Sequence, residues 1–293
     1  MLTASLIFGI TNWSLALISI IIFFFIFIIF AQIIREERAS DVSIILVLNT
    51  CFASVLTSFA VVVMVSSNIF SPFLLINPSF CNVFGLLYDI FECSIYYSYC
   101  LQAFYRLCRV IYYKKKILLS YDLYKVLVLV QWLVTIILIL PTYFFKWYIH
   151  LPTEKYCLIP YTNIIGSIYL IIFLYSIPLF TIIMVYVLIT RHIRSPNIIR
   201  MQERQRNLRD LTVIKRIIIC VLMLVVLRFP TIIFIIYGVV NGELFFLTYA
   251  IVGFVTGICL ILIGLITIIT TNKIKKSIMN FFNYNTNQIH PTN

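Results

Sequence analysis

Residues Leu15 to Ile34 read LALISIIIFFFIFIIFAQII, an apolar run without a charged side chain. A helix rises about 1.5 Å per residue, so this run is long enough to cross the roughly 30 Å hydrocarbon core of a bilayer. The whole chain has the same character, since 62% of its 293 residues are apolar and only 11% are charged. A water-soluble domain with that balance has too little polar surface to cover itself. The sequence therefore predicts a membrane protein.

Further apolar runs follow the first, with polar segments between them. They are Val42 to Val65, Phe80 to Val110, Leu123 to Phe145, Thr162 to Thr190, Thr212 to Val239 and Leu244 to Ile269. Each is long enough to span the membrane as a helix. We therefore predict an all-α, seven-transmembrane helix bundle, and we treat residues 1–293 as a single domain.

The segments outside the predicted bundle (residues 15–269) are short. Residues 1–14 form the expected N-terminal segment. After the last run, Ile274, Ile278 and Phe281 alternate with lysines, which predicts a short amphipathic helix on the membrane surface over residues 271–283. Residues 284–293 are polar and are expected to form a tail.

The positive charges predict the topology of the spans. All but three of the 22 Lys and Arg residues lie on one side of the predicted membrane, and the exceptions are Lys146, Lys155 and Arg228. Cytoplasmic loops carry such an excess, so the N-terminus is expected outside and the C-terminus inside, with the basic face near membrane lipids. This topology explains the net charge of +12 without nucleic acid as a partner. The first run lacks a basic leader and is longer than a secretory signal core, so we expect it to be retained.

Two features of the outer side follow from this topology. Asn12-Trp13-Ser14 is an N-glycosylation sequon, so Asn12 is a candidate glycosylation site. Cys81 starts the third span and Cys157 lies in the loop between the fourth and fifth spans, where the environment is oxidising. A disulfide between them would hold that loop over the bundle; the alternative is two unrelated free thiols.

The third span ends in Phe104-Tyr105-Arg106-Leu107-Cys108-Arg109-Val110, and Arg106 follows Cys81 by 25 positions. This segment resembles the third helix of rhodopsin-like (class A) G protein-coupled receptors, which runs from the disulfide cysteine to the arginine of the Asp-Arg-Tyr motif. Other landmarks of that family occur in order over helices two to six. They are Leu48-Asn49 with Ala53-Ser54, Trp132 with Pro141, Pro178 with Tyr186, and Pro230. The chain is similar to divergent orphan receptors of invertebrates.

The resemblance has departures. Tyr105 replaces the acid before the arginine, Ser54 stands at the position of the sodium-binding aspartate, and Arg228 replaces the usual tryptophan of the sixth helix. Gly264-Leu265-Ile266-Thr267-Ile268 occupies the place of the Asn-Pro-x-x-Tyr motif. We therefore expect no sodium pocket. Either Arg106 pairs with Asp210 or Glu203 in the inactive form, or basal activity is high.

The resemblance implies a receptor that binds an extracellular ligand and activates a heterotrimeric G protein. Arg106 would meet the G protein and Tyr186 in the active form; alternatively, its side chain extends to the inner headgroups. Pro230 would be the pivot for outward movement of the sixth helix, and Pro178 would loosen the fifth. In the alternative reading, both prolines only shape static helices.

Buried charges point to the ligand pocket. Arg228 lies midway along a span and needs a partner, and Asp89 and Glu92 are the acids in the middle of the spans. In the family fold, the positions of Glu92 and Arg228 face each other. We predict a Glu92–Arg228 pair, which either contacts the ligand or acts only as a structural clamp.

The expected pocket residues are Tyr88, Asp89, Glu92, Arg228 and Phe229, and Tyr96, Tyr97, Tyr99, Tyr169, Tyr175, Tyr237 and Tyr249 supply further rings. These charges also leave an alternative function, a small solute transporter or channel that binds its solute at Asp89, Glu92 and Arg228. The chain shows neither internal repeats nor paired broken spans, which that class often has. His150, His192 and His290 lie in loops or the tail, so we expect no metal site, no cofactor and no enzymatic activity.

Overall fold

A computed structural model of the chain shows a seven-helix membrane bundle. The structure describes residues 2–37, 41–69, 77–151, 154–194, 229–238, 240–242 and 244–270. The α-helices in this part are α1 (Leu2–Glu37), α2 (Val42–Ile69), α3 (Pro78–Val110), α4 (Tyr121–Phe144), α5 (Ile164–Leu170), α6 (Ile177–Arg194), α7 (Phe229–Gly238) and α8 (Thr248–Thr270), and a short 3-10 helix, Lys116–Leu119, precedes α4. A π-helical segment, Ile171–Ser176, joins α5 to α6, so that the three together form the fifth span.

Five helical stretches in the described residues are long and apolar enough to cross a membrane. They are the first, second, fourth, fifth and seventh spans. The third span, α3, is 33 residues long but carries Asp89, Glu92, Arg106 and Arg109, which lower its hydropathy. Helix α7 is the described part of the sixth span. The membrane-surface helix expected over residues 271–283 and the tail over 284–293 lie outside the described residues.

Most helix boundaries agree with the sequence to within a few residues, and local signals explain several of them. Helix α3 starts after Asn77, whose side chain accepts a hydrogen bond from the Ser79 N–H at 3.0 Å, with Pro78 in the first turn. Ser120 caps α4 in the same way. The first helix differs, because α1 starts at Leu2 rather than at residue 15. The predicted N-terminal segment is therefore helical.

The packing places α3 at the centre of the described bundle. It contacts α2, α4, the π segment and α6, while α1 packs against α2 and α8. The main apolar core contains Phe23, Phe30 and Ile26 of α1, all fully buried. Polar side chains such as Asn49 and Thr50 of α2 and Ser98 of α3 are also buried in the bundle, where lipid does not reach them.

A hydrogen-bonded hub around Asn49 joins α2, α3 and α4. The Asn49 amide donates to Gln131 Oε1 at 2.7 Å, and Asn49 Oδ1 accepts from the Trp132 indole N–H at 2.9 Å. Gln131 in turn donates to the backbone carbonyl of Ser94 at 3.3 Å. Such bonds hold helices together in a membrane, where burial of apolar surface gives little driving force between them.

Helix α8 packs on α1 through glycines. A Cβ at Gly264 would lie 2.7 Å from Ile22 Cγ2, and one at Gly257 would lie 3.0 Å from Leu15 Cβ. The two backbones can approach this closely only because these positions lack side chains. The segment that replaces the Asn-Pro-x-x-Tyr motif thus supplies a packing surface.

Two further features were not predicted from the sequence. A short antiparallel hairpin lies in the loop after α4, where β1 (Ile149–His150) pairs with β2 (Cys157–Leu158). The π segment is the other; it ends two residues before Pro178, which has no N–H with which to donate to the carbonyl of Leu174. Both features position groups of the candidate site.

Candidate functional site

The middle of α3 presents two acidic side chains to the interior of the bundle. Asp89 and Glu92 lie one turn apart, and their side chains are buried, with relative exposures of 5% and 4%. Buried carboxylates require hydrogen-bond donors around them. Tyrosines from two other parts of the chain provide such donors.

Tyr148, in the loop after α4, donates its O–H to Asp89 Oδ2 at 2.6 Å. The phenol oxygen also accepts a hydrogen bond from Thr142 Oγ1 at 3.1 Å. Burial, followed by the nearby Asp89 carboxylate, raises the pKa of Tyr148 well above its usual value, so the phenol keeps its proton. Tyr148 is therefore the donor in this pair.

Gly85 lets the loop lie this close to α3. A Cβ at Gly85 would lie 2.6 Å from the carbonyl oxygen of Cys157 and 2.9 Å from Tyr148 Cδ1. A larger side chain at this position would push the loop outward. The contact between Tyr148 and Asp89 thus depends on a small residue one turn earlier on α3.

Tyr175, in the π segment, donates its O–H to Glu92 Oε1 at 3.2 Å. Its ring packs edge-to-face on Tyr96, with ring centroids 5.2 Å apart. The next residue of α3 also contacts this segment, because the Tyr97 O–H donates to the backbone carbonyl of Phe173 at 3.2 Å. The π segment is therefore fastened to α3 around Glu92.

The disulfide predicted between Cys81 and Cys157 is present, with the two Cα atoms 5.4 Å apart. It fixes the loop to the start of α3. The loop is also fixed to α8, because the rings of Tyr161 and Tyr249 stack at 5.1 Å. The loop therefore forms a roof over the bundle.

A third attachment of the roof involves Asn68 at the end of α2. Its amide donates to the Glu154 carboxylate, and its Oδ1 accepts from the Lys155 backbone N–H at 2.6 Å. Burial raises the pKa of Glu154 to about 7, although the Asn68 hydrogen bond opposes this shift. Near neutral pH, the charge of this carboxyl group therefore responds to small changes in proton concentration.

A cavity of about 470 Å³ lies beneath the roof. This volume is within the usual range for small-molecule sites. The first, second, third, fifth, sixth and seventh spans all contribute to its lining, together with the loop. The lining includes the predicted residues Tyr88, Asp89 and Glu92 and four of the further rings, Tyr96, Tyr99, Tyr175 and Tyr249.

The structure requires a correction at Phe229. Its side chain is 59% exposed on the outside of α7 and is not among the residues that line the cavity. Thr231, Ile232 and Ile235 of the same helix line it instead. Arg228 lies outside the described residues, so its pairing with Glu92 stays a prediction.

Asn12 requires a second correction. The residue lies within α1, only 4% exposed, and its amide donates to the backbone carbonyl of Ala250 in α8 at 3.0 Å. A glycan on this nitrogen would need the side chain to leave the interface between α1 and α8. The placement therefore speaks against the predicted glycosylation site.

At the other end of α3, Arg106 is half-buried, and its guanidinium carbon lies 5.8 Å from the centre of the Tyr105 ring. Tyr105 packs edge-to-face on Tyr124 of α4 at 5.1 Å. The residue that replaces the family's acid thus joins an aromatic contact between helices. Tyr186 packs against the main core, and its meeting with Arg106 stays a prediction, as does a pairing with Asp210 or Glu203, both outside the described residues.

Pro178 is tied directly to α3, because Cys100 Sγ donates to its carbonyl oxygen at 3.4 Å. Pro230 is the second residue of α7, and the chain before α7 lies outside the described residues. The proposed movements at the two prolines stay predictions. The two prolines differ in their position relative to the cavity, because Pro178 lines it and Pro230 does not.

The fold and this arrangement define a multi-pass membrane protein with a cavity beneath a disulfide-linked loop. The family model of the rhodopsin family of seven-transmembrane receptors matches residues 26–263, so the chain belongs to that family. This family consists in general of receptors without enzymatic activity. A comparison with curated proteins gives no match.

Proposed function

We propose that the chain binds an extracellular ligand in the roofed cavity and, in response, activates a heterotrimeric G protein. The observation that carries the proposal is the cavity itself, which is lined by six spans and closed by the disulfide-linked loop. Such a site can hold a small molecule away from water. Family membership supports signalling in general.

The fifth span provides a route by which the cavity can influence the cytoplasmic end. Tyr175 in the π segment contacts Glu92, and Pro178 lies beside Cys100. A ligand that contacts Glu92 or Tyr175 would therefore bear on a helix that already departs from regular α geometry. A receptor requires two packings of similar energy and a ligand that prefers one of them.

The proposed cytoplasmic response is outward movement of the sixth span with Pro230 as its pivot. Arg106 and Tyr186 would then contact the G protein. The excess of Lys and Arg on one side supports an N-terminus outside, and we assign the protein to the plasma membrane, where an extracellular ligand can reach it. Membrane lipids then meet the basic inner face.

The test compares ligand-independent signalling of the wild type, Arg106→Ala and Arg109→Ala in cells, across G-protein classes and at equal surface expression. If neither Asp210 nor Glu203 pairs with Arg106, the wild type should signal above untransfected cells without a ligand, because Tyr105 supplies no charge to restrain this arginine. Arg106→Ala should fall to the level of untransfected cells. Arg109→Ala removes the same charge three residues further along α3 and should retain most of the signal.

An absence of signalling from the wild type in every G-protein class, even in the presence of a broad ligand panel, would overturn the proposal. Equal losses in the two variants would also count against it, because the effect would then follow the loss of positive charge at the membrane surface.

A further inference from the structure

The hairpin in the roof is held in different ways at its base and at its end. At the base, the disulfide with Cys81 joins Cys157 to α3. At the end, Glu154 and Lys155 both bind the side chain of Asn68 on α2. We call Glu154 and Lys155 the hairpin end. A disulfide persists in an oxidising environment, whereas hydrogen bonds to one amide can break and form again within the folded protein.

The residues next to the hairpin end are packed in place. Leu151 is 1% exposed and Tyr156 is 8% exposed, and both belong to an apolar cluster with side chains of α2 and α8. The Leu151 N–H also donates to the Tyr156 carbonyl at 3.1 Å, across the hairpin. Release of the Asn68 amide would therefore move the hairpin end while the rest of the roof stays in place.

The hairpin end forms part of the outer wall of the cavity. Its two residues line the cavity together with Asn68, with Ile69 at the end of α2 and with Leu6 of α1. Movement of the hairpin end away from α2 would widen the entrance between the roof and these two helices. A molecule from the outer side could then reach the cavity by this route.

Glu154 is the group in the hairpin end whose charge can change near neutral pH. Its side chain is buried, and the Asn68 amide that donates to it is a neutral group. Ionisation of a buried carboxyl group is costly, and a neutral hydrogen bond recovers only part of the cost. Burial accordingly raises the pKa of Glu154 from 4.5 to about 7. In water the carboxyl group would regain its ordinary pKa, so ionisation favours release from α2.

The titratable groups that surround Glu154 in the described residues keep their charge state over this pH range. The cavity lining from α1 and α2 contains none, and the two carboxyl groups that α3 contributes accept hydrogen bonds from other phenols. From the roof, Lys155 is exposed, and burial raises the pKa of the Tyr156 phenol well above its usual value. Tyr249 of α8 also interacts with the Glu154 carboxyl group. Lysines and phenols ordinarily titrate near pH 10, on the order of two units above this range.

We propose that the hairpin end is a proton-sensitive lid on the cavity, which protonated Glu154 keeps docked on Asn68 and ionised Glu154 releases. The inference goes beyond the proposed function, because it concerns access to the cavity and requires no G protein. It rests on a covalently held base, an end held by one amide and a buried carboxyl group at that end. Acidity on the outer side then keeps the entrance beside α2 covered, and alkalinity uncovers it.

Amide hydrogen exchange measures the docked lid, since the Lys155 N–H donates to Asn68 Oδ1 at 2.6 Å. The purified protein in lipid nanodiscs is compared at pH 6 and pH 8, with each rate divided by the intrinsic rate at the same pH. Protection of the Lys155 amide should fall about tenfold over this range, as linkage requires for a pKa of about 7 when docked and 4.5 when released. The Leu151 amide, which is bonded within the hairpin, should keep its protection.

Variants assign the response to Glu154. Glu154→Gln keeps an acceptor for the Asn68 amide without a charge, so protection of the Lys155 amide should be equal at pH 6 and pH 8. Asn68→Leu removes both hydrogen bonds and should give low protection at both pH values; it also serves if Glu154→Gln does not fold. The matched control is His150→Gln, because histidine ordinarily titrates near this range and His150 lies on β1 of the same hairpin. This control should keep the tenfold change.

Val65→Cys tests whether the movement uncovers the cavity, since Val65 lines it one turn before Asn68. A charged, membrane-impermeant thiol reagent is added at pH 6 and pH 8, with and without Glu154→Gln. Both backgrounds contain the same thiol, so its own dependence on pH cancels. The acceleration from pH 6 to pH 8 should be about tenfold greater with Glu154 than with Gln. Ile149→Cys, at a position 44% exposed on the roof, should react alike in both backgrounds.

Equal protection of the wild type at the two pH values would overturn the proposal, and so would a change with pH that persists in Glu154→Gln. If protection falls but Val65→Cys reacts alike in both backgrounds, the hairpin end moves without uncovering the cavity, which contradicts the lid. Signalling is measured separately, and an absence of G-protein coupling would contradict the proposed function while leaving these outcomes unchanged.

Discussion

The third and seventh spans are held in the bundle in different ways. Side chains of α3 make hydrogen bonds to the roof, to α2 and to the fifth span, as in Asp89 with Tyr148 and Glu92 with Tyr175. Helix α8 contacts α1 through glycines, and its own threonines, Thr256 and Thr267, donate to carbonyls within the helix. The third span is fixed mainly by polar contacts of its side chains. The seventh is fixed mainly by close backbone approach, with the hydrogen bond from Asn12 to the Ala250 carbonyl as a polar contact to α1.

The difference follows from their sequences. Helix α3 carries acids, serines and tyrosines, which in lipid must find partners on other elements. Helix α8 reaches a mean hydropathy of 2.8 and has few such groups, so its position depends on shape. The comparison predicts that polar changes affect α3 most and that changes of side-chain volume affect α8 most.

The largest effect is expected at the contact between α8 and α1. Gly264→Leu would place a Cβ 2.7 Å from the β-branched Ile22 and force the helices apart, with a loss of up to about 3 kcal/mol of stability. Thermal unfolding in nanodiscs measures the loss. Ile269→Phe adds bulk at a position that is 65% exposed and should leave the unfolding temperature unchanged. Equal effects of the two substitutions would remove the distinction between the spans.

A smaller effect is expected at the polar attachment of α3. Tyr148→Phe keeps the ring but removes the donor to Asp89, which should cost about 2 kcal/mol because the carboxylate is buried. The same unfolding measurement applies, with Tyr113→Phe as the control because Tyr113 is 43% exposed. In an Asp89→Asn background the cost of Tyr148→Phe should shrink, and an undiminished cost would show that the ring environment, not the carboxylate, is responsible.

A dependence of stability on pH separates the two kinds of attachment. Burial raises the pKa of Glu154 from 4.5 to about 7, so the folded protein binds this proton more tightly than the unfolded chain does. The stabilisation is complete below about pH 4.5 and is lost as pH rises to about 7, at up to roughly 1.4 kcal/mol per pH unit.

Glu154→Gln imitates the protonated side chain and should make unfolding less dependent on pH between 5 and 8, with the variant more stable than the wild type at pH 8. The loss caused by Gly264→Leu should be the same at both ends of that range, since no titrating group takes part. A pH response that Glu154→Gln leaves intact would have another origin.

Much of the fold could be predicted because it depends on features that are local in sequence. The apolar runs gave the spans to within a few residues for α2, α3 and α4, and the positions of Cys81 and Cys157 pointed to the disulfide. The N-terminal boundary of α1 was wrong, since residues 2–14 contain no proline or strong polar cluster to end a helix. The thickness of the bilayer does not set where α1 begins, because the residues before the predicted span also pack against other helices.

The candidate site was predicted in part. Tyr88, Asp89 and Glu92 were recognised because ionisable groups in a span are costly and must face the interior. Tyr148 was missed, because its contact with Asp89 depends on how a long loop folds back over Gly85, which no local pattern encodes. Phe229 was misplaced because an aromatic ring within a span can face either the cavity or lipid, and its residue type does not say which. The burial of Asn12 likewise depends on a distant partner, the Ala250 carbonyl.

The Asn49 hub limits how this sequence can diverge. Its carboxamide donates to Gln131 and accepts from Trp132, two neighbours on α4, so both functions of one side chain are in use. An aspartate would lose the donor, a leucine would lose both, and glutamine would be one methylene too long. Substitution at any of these three positions leaves a polar group without its hydrogen-bond partner within the bilayer. A change at one position therefore lowers stability unless the other positions change with it.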